Sequence, residues 1–338
     1  MSIRIAINGF GRIGRLVLRA LVESDQYDLE IVAINDLADA DRLAHLLKYD
    51  SVHGRFPGTI EKGENYISVN GQDIPVFSER DPEVLPWSKL RVDIVLECTG
   101  FFLTQDLSGK HILAGAKRVL ISAPAKDETK TIVYGVNHTE ITRDDHIISN
   151  ASCTTNALAP LIDTLHKTYG IKSGFMTTIH AYTGDQRLLD ASHRDPYRSR
   201  AAAISMIPTT TGAAKAIGKV IPDMQGRLDG TAVRVPLPNV SAIDLTVLTE
   251  RPANVGDVTE KFSIASKDSY SGVLGFVDEK LVSSDMNHDA HSSSFVADQT
   301  YVNDNHLVRV FAWYDNEWGF SNRMLDTATE MAKFLESE

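Results

Sequence analysis

The chain has 338 residues, 43% of them hydrophobic and 23% charged, the balance of a globular protein with room for two domains. Its formal charge of −11 disfavours nonspecific binding to nucleic acid or anionic lipid, so any phosphate site must be built locally from a few Arg, Lys and backbone N–H groups. Two cysteines, no apolar run near the roughly 20 residues of a membrane span, and no signal core before Ile3 lead us to expect a reducing, cytoplasmic setting.

In chain order, Ile3–Ile7 reads as a short buried strand broken at Asn8-Gly9, and Ile13, Leu16, Val17, Ala20 and Leu21 follow at helical spacing. Glu30–Ile34 is a second strand ending at Asn35-Asp36. Val92–Leu96 is another, ending at Cys98-Thr99-Gly100. Arg118–Ile121 ends at Ser122, and Ile147–Ser149 ends just before Cys153. Strands alternating with helices predict an α/β, Rossmann-like parallel sheet whose ligands bind at the strand carboxyl ends. After about residue 153 the texture changes. Phe175–Ile179, Ala232–Val235, Ala242–Leu248 and Leu307–Trp313 predict longer strands of a mixed, largely antiparallel sheet in an α+β domain. An arginine-rich polar stretch runs from Asp185 to Arg200. Asn322–Leu335 predicts a terminal helix with Met324, Leu325, Ala328, Met331 and Phe334 as its apolar stripe.

The first turn, Gly9-Phe10-Gly11-Arg12-Ile13-Gly14, has a strand before it and a helix after it, the context in which glycines let backbone N–H groups approach a pyrophosphate. Asp36 lies at the end of the second strand, where a carboxylate accepts ribose hydroxyls and repels a 2′-phosphate, favouring NAD over NADP. Thr99 reads equally as a turn residue or a cofactor contact.

Ser152-Cys153-Thr154-Thr155 places a cysteine at the start of a helical pattern, where unsatisfied N–H groups stabilise a thiolate. His180, ending a strand and followed by Thr183, is the best partner for that sulfur. Cys98, in an apolar strand, reads as a small inert core residue. Pro208–Lys215 carries Thr211 and Gly212 at a helix start and reads either as an anion trap or as a threonine N-cap. Arg234, a charge in an otherwise apolar strand, requires either a phosphate or a carboxylate partner. Asp285, His288, Asp289 and His291 fit no zinc spacing and read as a polar interface loop, with no metal expected.

Ile7–Arg15, Ser149–Asn156, His180–Thr183, Pro208–Lys215, Arg234–Pro236 and Trp313–Gly319 together resemble the phosphorylating glyceraldehyde-3-phosphate dehydrogenases over essentially the whole chain. The resemblance implies a Rossmann NAD-binding domain over 1–152, completed by a C-terminal helix over 319–338, and a catalytic domain over 153–318. It implies a homotetramer, with the arginine-rich stretch lying against a neighbouring subunit's cofactor. By matching position, Cys153 is the nucleophile and His180 its partner. Thr183 and Arg234 hold the substrate's phosphate, and Ser152, Thr154, Arg198, Thr211 and Gly212 line the inorganic-phosphate site. Gly9, Gly11, Arg12, Ile13, Asp36, Thr99, Ser122 and Asn316 contact NAD, the last through the nicotinamide carboxamide. The implied chemistry oxidises glyceraldehyde 3-phosphate through a cysteine thioester that inorganic phosphate cleaves.

Several positions depart from the family pattern. Ala157 replaces a frequent second cysteine, Gly184 stands where asparagine is common, and Phe320 replaces a frequent tyrosine. Ala191-Ser192 is the small, polar pair of members that also accept NADP, so weak NADP use is expected beside NAD. Erythrose-4-phosphate dehydrogenase and a noncatalytic NAD-binding regulator are the competing readings. Thr209–Gly212 speaks against the first, and the retained Cys153 and His180 speak against the second.

Overall fold

The computed structural model describes residues 2–24 and 26–335. Its chain forms two compact units, Met1–Ser152 with Ser321–Glu338, and Cys153–Phe320.

The first unit begins with β1 (Ile3–Asn8), α1 (Arg12–Val22), β2 (Leu29–Asn35) and α2 (Ala40–Lys48). A small hairpin, β3 (Tyr49–Asp50) and β4 (Gly54–Arg55), leads to β5 (Ile60–Lys62), β6 (Tyr66–Val69) and β7 (Gln72–Phe77). Then come β8 (Ile94–Glu97), α3 (Gln105–Leu113), β9 (Arg118–Ile121) and β10 (Ile147–Ser149). The sheet order is β10-β9-β8-β1-β2-β7-β6-β5. From β10 to β7 every pair is parallel, while β5 and β6 extend the edge as antiparallel ribbons. This is the doubly wound order of a dinucleotide-binding sheet. Ile5, Ala6 and Ile7 are fully buried, as a strand covered on both faces requires. Gly14 lets α1 press onto its own entry turn, because a Cβ there would sit 2.2 Å from the Gly9 carbonyl oxygen. The Ser321–Ala332 part of the last helix is tied into this unit: Thr327 donates to Asn150 Oδ1 at 2.8 Å, and Tyr27 donates to Asp326 Oδ1 at 2.8 Å.

The second unit contains α4 (Cys153–Tyr169), β11 (Ile171–Ala181), β12 (Ile207–Thr210), α5 (Ala213–Val220), β13 (Leu228–Val235), β14 (Ser241–Thr249) and α6 (Val255–Lys267). It continues through β15 (Leu274–Val277), β16 (Ser293–Val296), β17 (Tyr301–Asn303) and β18 (Leu307–Tyr314) to the start of α7 (Trp318–Ala332). The sheet runs β12-β13-β11-β14-β18-β16-β15, with β17 on the flank of β18. Only β11–β13 and β15–β16 are parallel, so the sheet is mixed and mostly antiparallel. The terminal helix starts four residues before the apolar stripe suggests. Asp315 Oδ1 accepts the N–H groups of Glu317 and Trp318 at 2.9 and 2.7 Å, capping the helix earlier.

Candidate active site

Cys153 is the first residue of α4, so its thiol lies at a helix N-terminus. The approach from β10 is sharp: Ala151 takes φ +57°, unusual for a residue with a side chain, and its N–H donates to Ser149 Oγ at 3.1 Å. The half-buried Cys153 Sγ lies 3.6 Å from His180 Nε2 and 4.0 Å from Thr154 Oγ1. His180, near the end of β11, is only 4% exposed. Its Nδ1 stands 2.7 Å from the Ala181 carbonyl oxygen. A carbonyl only accepts, so the ring hydrogen is on Nδ1 and the bare Nε2 faces the sulfur. Tyr314, the last residue of β18, sets its ring edge-on to the imidazole at 5.9 Å and 81°. Its hydroxyl bridges Thr154 Oγ1 at 3.0 Å and Thr178 Oγ1 at 2.8 Å.

The parallel register of β11 and β13 puts Arg234 directly beside His180. Arg234 Nη1 donates to the Ala181 carbonyl at 3.0 Å and to Thr183 Oγ1 at 3.4 Å. It also approaches His180 Nδ1 to 3.1 Å, where two donors meet without a hydrogen bond between them. Burial pushes the Cys153 thiol up, and the Arg234 guanidinium draws it partly back. Burial first, and Arg234 second, push the imidazole down to about 3. Against the expectation of a standing thiolate, burial therefore works against charge on both partners, and the Arg234 guanidinium favours the sulfur anion over the imidazolium.

Among the residues matched to the inorganic-phosphate site, Thr154 lies beside the sulfur and the Arg198 charge acts on the imidazole. Arg198 donates through Nη1 to Asp185 Oδ2 at 2.7 Å and through Nε to Thr209 Oγ1 at 3.0 Å, so its charge is shared with a carboxylate. Gly212 takes the N-cap position of α5 and supplies no side-chain cap, while Thr211, one residue earlier, accepts the Ala213 N–H on Oγ1 at 3.2 Å. Ser241 Oγ donates to Asn316 Oδ1 at 2.8 Å, which leaves the Asn316 amide nitrogen as the group to donate. Asp289 accepts from His291 Nδ1 at 2.7 Å and from Ser294 Oγ at 2.6 Å, while His288 stacks on Trp318. That loop forms a hydrogen-bonded cluster.

In the first unit a cavity of about 440 Å³ is lined by Gly9, Gly11, Asp36, Arg80, Thr99 and Phe101 among others. Gly9 takes φ +92°, and a Cβ there would lie 2.7 Å from the Thr99 nitrogen. Gly11 at the N-cap of α1 supplies no side-chain cap, and the first turn carries no acidic residue, so the helix end suits an anion. Asp36 is held by the N–H groups of Phe10 at 2.7 Å and Ala38 at 2.9 Å. These features fit a dinucleotide: a tight turn, an open helix end, and a fixed carboxylate for hydroxyls.

Residues 3–105 match the NAD-binding domain model of glyceraldehyde 3-phosphate dehydrogenase, and residues 152–316 match the C-terminal domain model of the same enzyme. The chain is 56% identical to the glyceraldehyde-3-phosphate dehydrogenase of Cereibacter sphaeroides, over 99% of this chain and all of that one. It is 55% identical to that of Pseudomonas aeruginosa and 51% identical to that of Geobacillus stearothermophilus, each over 98% of this chain and 99% of the relative. The chain belongs to the glyceraldehyde-3-phosphate dehydrogenase family. It is an NAD-dependent dehydrogenase by that membership, and the erythrose-4-phosphate reading is not favoured.

Set against the family expectations, Gly9, Gly11, Asp36 and Thr99 line the cavity of the NAD-binding domain. The Arg12 guanidinium is instead paired with Asp50, leaving its backbone N–H, with that of Ile13, as the part at the helix start. Ser122 follows β9 and donates its N–H to the Glu97 carbonyl at 3.0 Å. Cys98 lies just past β8 and lines the cavity, rather than sitting within the strand core; burial, then neighbouring Glu97, push its thiol up to about 12, which keeps it inert. Sequence reasoning missed Tyr314 as a ring support, and Arg80 and Phe101 as cavity walls. A tyrosine ending a buried strand carries no distinctive spacing, and Arg80 and Phe101 reach the cavity only through the sheet order.

Proposed function

We propose that the chain oxidises glyceraldehyde 3-phosphate and phosphorylates the product to 1,3-bisphosphoglycerate, in the glycolytic and gluconeogenic interconversion, through a thioester on Cys153. The observation that carries this is the 3.6 Å approach of Cys153 Sγ to a His180 Nε2 whose lone pair is fixed toward it. As the sulfur adds to the aldehyde carbon, its proton passes to Nε2, and the imidazole steadies the oxygen as charge develops there. Bound NAD supplies the acceptor for the hydride that the hemithioacetal carbon loses. Thr183 and Arg234, already in contact, bind the phosphate of the substrate. That phosphate offsets the guanidinium charge beside the imidazole, so His180 takes a proton more readily once substrate is bound. Ser152, Thr154, Arg198, Thr211 and Gly212 hold inorganic phosphate for attack on the thioester, which frees the sulfur. Gly9, Gly11, the N–H groups of Arg12 and Ile13, Asp36, Thr99 and Ser122 bind NAD, and Asn316 donates its amide to the carboxamide. Asp36 sets a preference for NAD, with weak NADP use.

The exposed side chains of Leu188, Leu189, Ile204 and Met206, all at least 75% accessible in this single chain, support a homotetramer in which they are covered. Both cysteines are free, which supports a reducing cytoplasmic setting; among the described residues no helix is long and apolar enough to cross a membrane. The test is NAD reduction by glyceraldehyde 3-phosphate with and without inorganic phosphate. Expected are a rate that depends on phosphate and its loss as iodoacetamide alkylates Cys153. Equal steady rates without phosphate, or full activity after Cys153 is alkylated, would sink the proposal.

A further inference from the structure

Beneath the cofactor cavity lies a buried polar chain that the reaction as described does not use. Glu97, the last residue of β8, has no exposed surface, and neither has His111 on α3. Glu97 Oε1 accepts the backbone N–H of Thr99 at 2.8 Å and also the Thr99 hydroxyl. Glu97 Oε2 accepts from Asn8 Nδ2 at 2.5 Å and from His111 Nε2 at 3.1 Å. The direction of the last bond is fixed from behind. Trp87 Nε1 can only donate, and it lies 3.0 Å from His111 Nδ1, so Nδ1 accepts and the ring hydrogen is on Nε2. Glu97 therefore receives four hydrogen bonds and donates none, the bonding of a buried carboxylate whose desolvation is offset by a full set of donors. The chain continues outward. Asn8 Oδ1 accepts from Asn35 Nδ2 at 2.7 Å, and Asn35 exchanges bonds with the Glu79 backbone at 2.9 and 2.8 Å. Asn8, Asn35, Glu79 and Thr99 all line the dinucleotide cavity, whereas Trp87 and His111 do not.

We infer that Glu97 is a positioning residue for the dinucleotide, held in register by His111 and Trp87. It ties the ends of β1 and β8 together and fixes the Thr99 loop against Gly9, where a Cβ would lie 2.7 Å from the Thr99 nitrogen. A glutamine in its place keeps the shape but turns an NH2 toward at least one of the donors that the carboxylate now accepts, so the Thr99 loop or Asn8 must shift. His111 lies outside the cavity lining and meets it through Glu97, Asn8 and Phe102, which makes it a probe of the network rather than of the cavity wall. The inference rests on the NAD reading of the cavity.

The experiment compares wild type, Glu97→Gln, His111→Leu and His111→Gln, purified as the full chain. It measures the dissociation constant for NAD by fluorescence quenching, KM for NAD and for the aldehyde, kcat at saturating NAD, and Tm. For Glu97→Gln the NAD dissociation constant and KM are expected to rise about tenfold, with kcat and the aldehyde KM within about threefold. His111→Leu is expected to raise the NAD values about threefold or more. His111→Gln, which returns an amide donor, brings them back to within about twofold of wild type. A fall in Tm with unchanged NAD affinity in Glu97→Gln and His111→Leu assigns the network a purely structural part and overturns the inference. So does a parallel loss in kcat and in both KM values. If Glu97→Gln does not fold, the two His111 variants decide. Failure of wild type itself to bind NAD removes the underlying reading, whereas wild-type binding with unaffected variants removes this inference alone.

Discussion

Replacing His180 with asparagine tests the centre of the site. The imidazole is held by its 2.7 Å bond to the Ala181 carbonyl and by the edge contact with Tyr314, and Nε2 is the only ring atom presented to the sulfur. Asparagine is shorter and takes up no proton at neutral pH, so the S–H bond loses its acceptor and the developing oxyanion loses its proton donor. A positioned acid–base group contributes about 10²–10⁴ in rate, or about 3–5 kcal/mol of barrier. His180→Asn should therefore lower kcat and kcat/KM for the aldehyde by that range while the KM for NAD stays within about twofold. Alkylation of Cys153 by iodoacetamide, measured separately by mass spectrometry, should slow as well, since it needs the same proton removed. Tyr314→Phe is the control for position. It keeps the ring and deletes the hydroxyl bonds to Thr154 and Thr178, so it should cost about 1–3 kcal/mol of stability but less than tenfold in rate. If His180→Asn keeps turnover and alkylation within threefold of wild type, the imidazole does not serve this sulfur.

Three further outcomes follow from other contacts. Burial pushes the Asp50 carboxyl up, but Arg12 and the backbone N–H groups of His53 and Val52 overcome it and hold it at about 2. Because the folded value lies below the ordinary 3.8, this contribution of about 2 kcal/mol is present above pH 4 and lost as pH falls toward 2; Arg12→Leu should lower the urea midpoint at pH 7, with the difference closing near pH 2. If Asp36 takes its proposed part in cofactor choice, Asp36→Ala should raise the ratio of kcat/KM for NADP to that for NAD at least about tenfold in steady-state assays; an unchanged ratio removes Asp36 from cofactor choice. Gly9→Ala places a Cβ against Thr99 at φ +92°, and should cost about 1–3 kcal/mol in thermal unfolding while raising the KM for NAD.

Much of the fold was legible because both sheets follow local patterns. The short apolar runs ending at Asn8, Asn35, Glu97, Ile121 and Ser149 became the parallel strands, and the carboxyl ends of the first three carry cavity residues, as a doubly wound sheet dictates. The strands of the second unit were visible as β-branched stretches but ran longer than the pattern suggested. β11 extends over Ile171–Ala181 because Ser173 and Gly174 pair within the sheet despite their weak apolar signal, with Lys172 at a register shift. Glu97 carried a signal that was not used: a lone carboxylate ending an apolar run, open to the same reasoning that singled out Arg234. Its partners, His111 and Trp87, lie on other elements, and no spacing connects them.

What the sequence could not express is the charge state of the thiol site, because that depends on which strand lies beside which. Residue identity made Cys153 and His180 a plausible activated pair, and a helix N-terminus argues for a lowered thiol. The register of β11 with β13 then sets a guanidinium 3.1 Å from the imidazole, and burial covers the ring. These two facts act against an imidazolium at His180. Burial and a cation that close both make an imidazolium costly, while the same Arg234 charge, with the Thr154 hydroxyl and backbone N–H groups, favours the sulfur anion. A group whose charge we propose for an incoming phosphate thereby also biases the proton between sulfur and nitrogen. Replacing Arg234 with leucine should accordingly raise the imidazole's affinity for a proton while slowing formation of the thiolate. Histidine NMR titration and pH-dependent alkylation would show the two moving in opposite senses. Were both to stay where they are in wild type, Arg234 would serve the substrate phosphate alone.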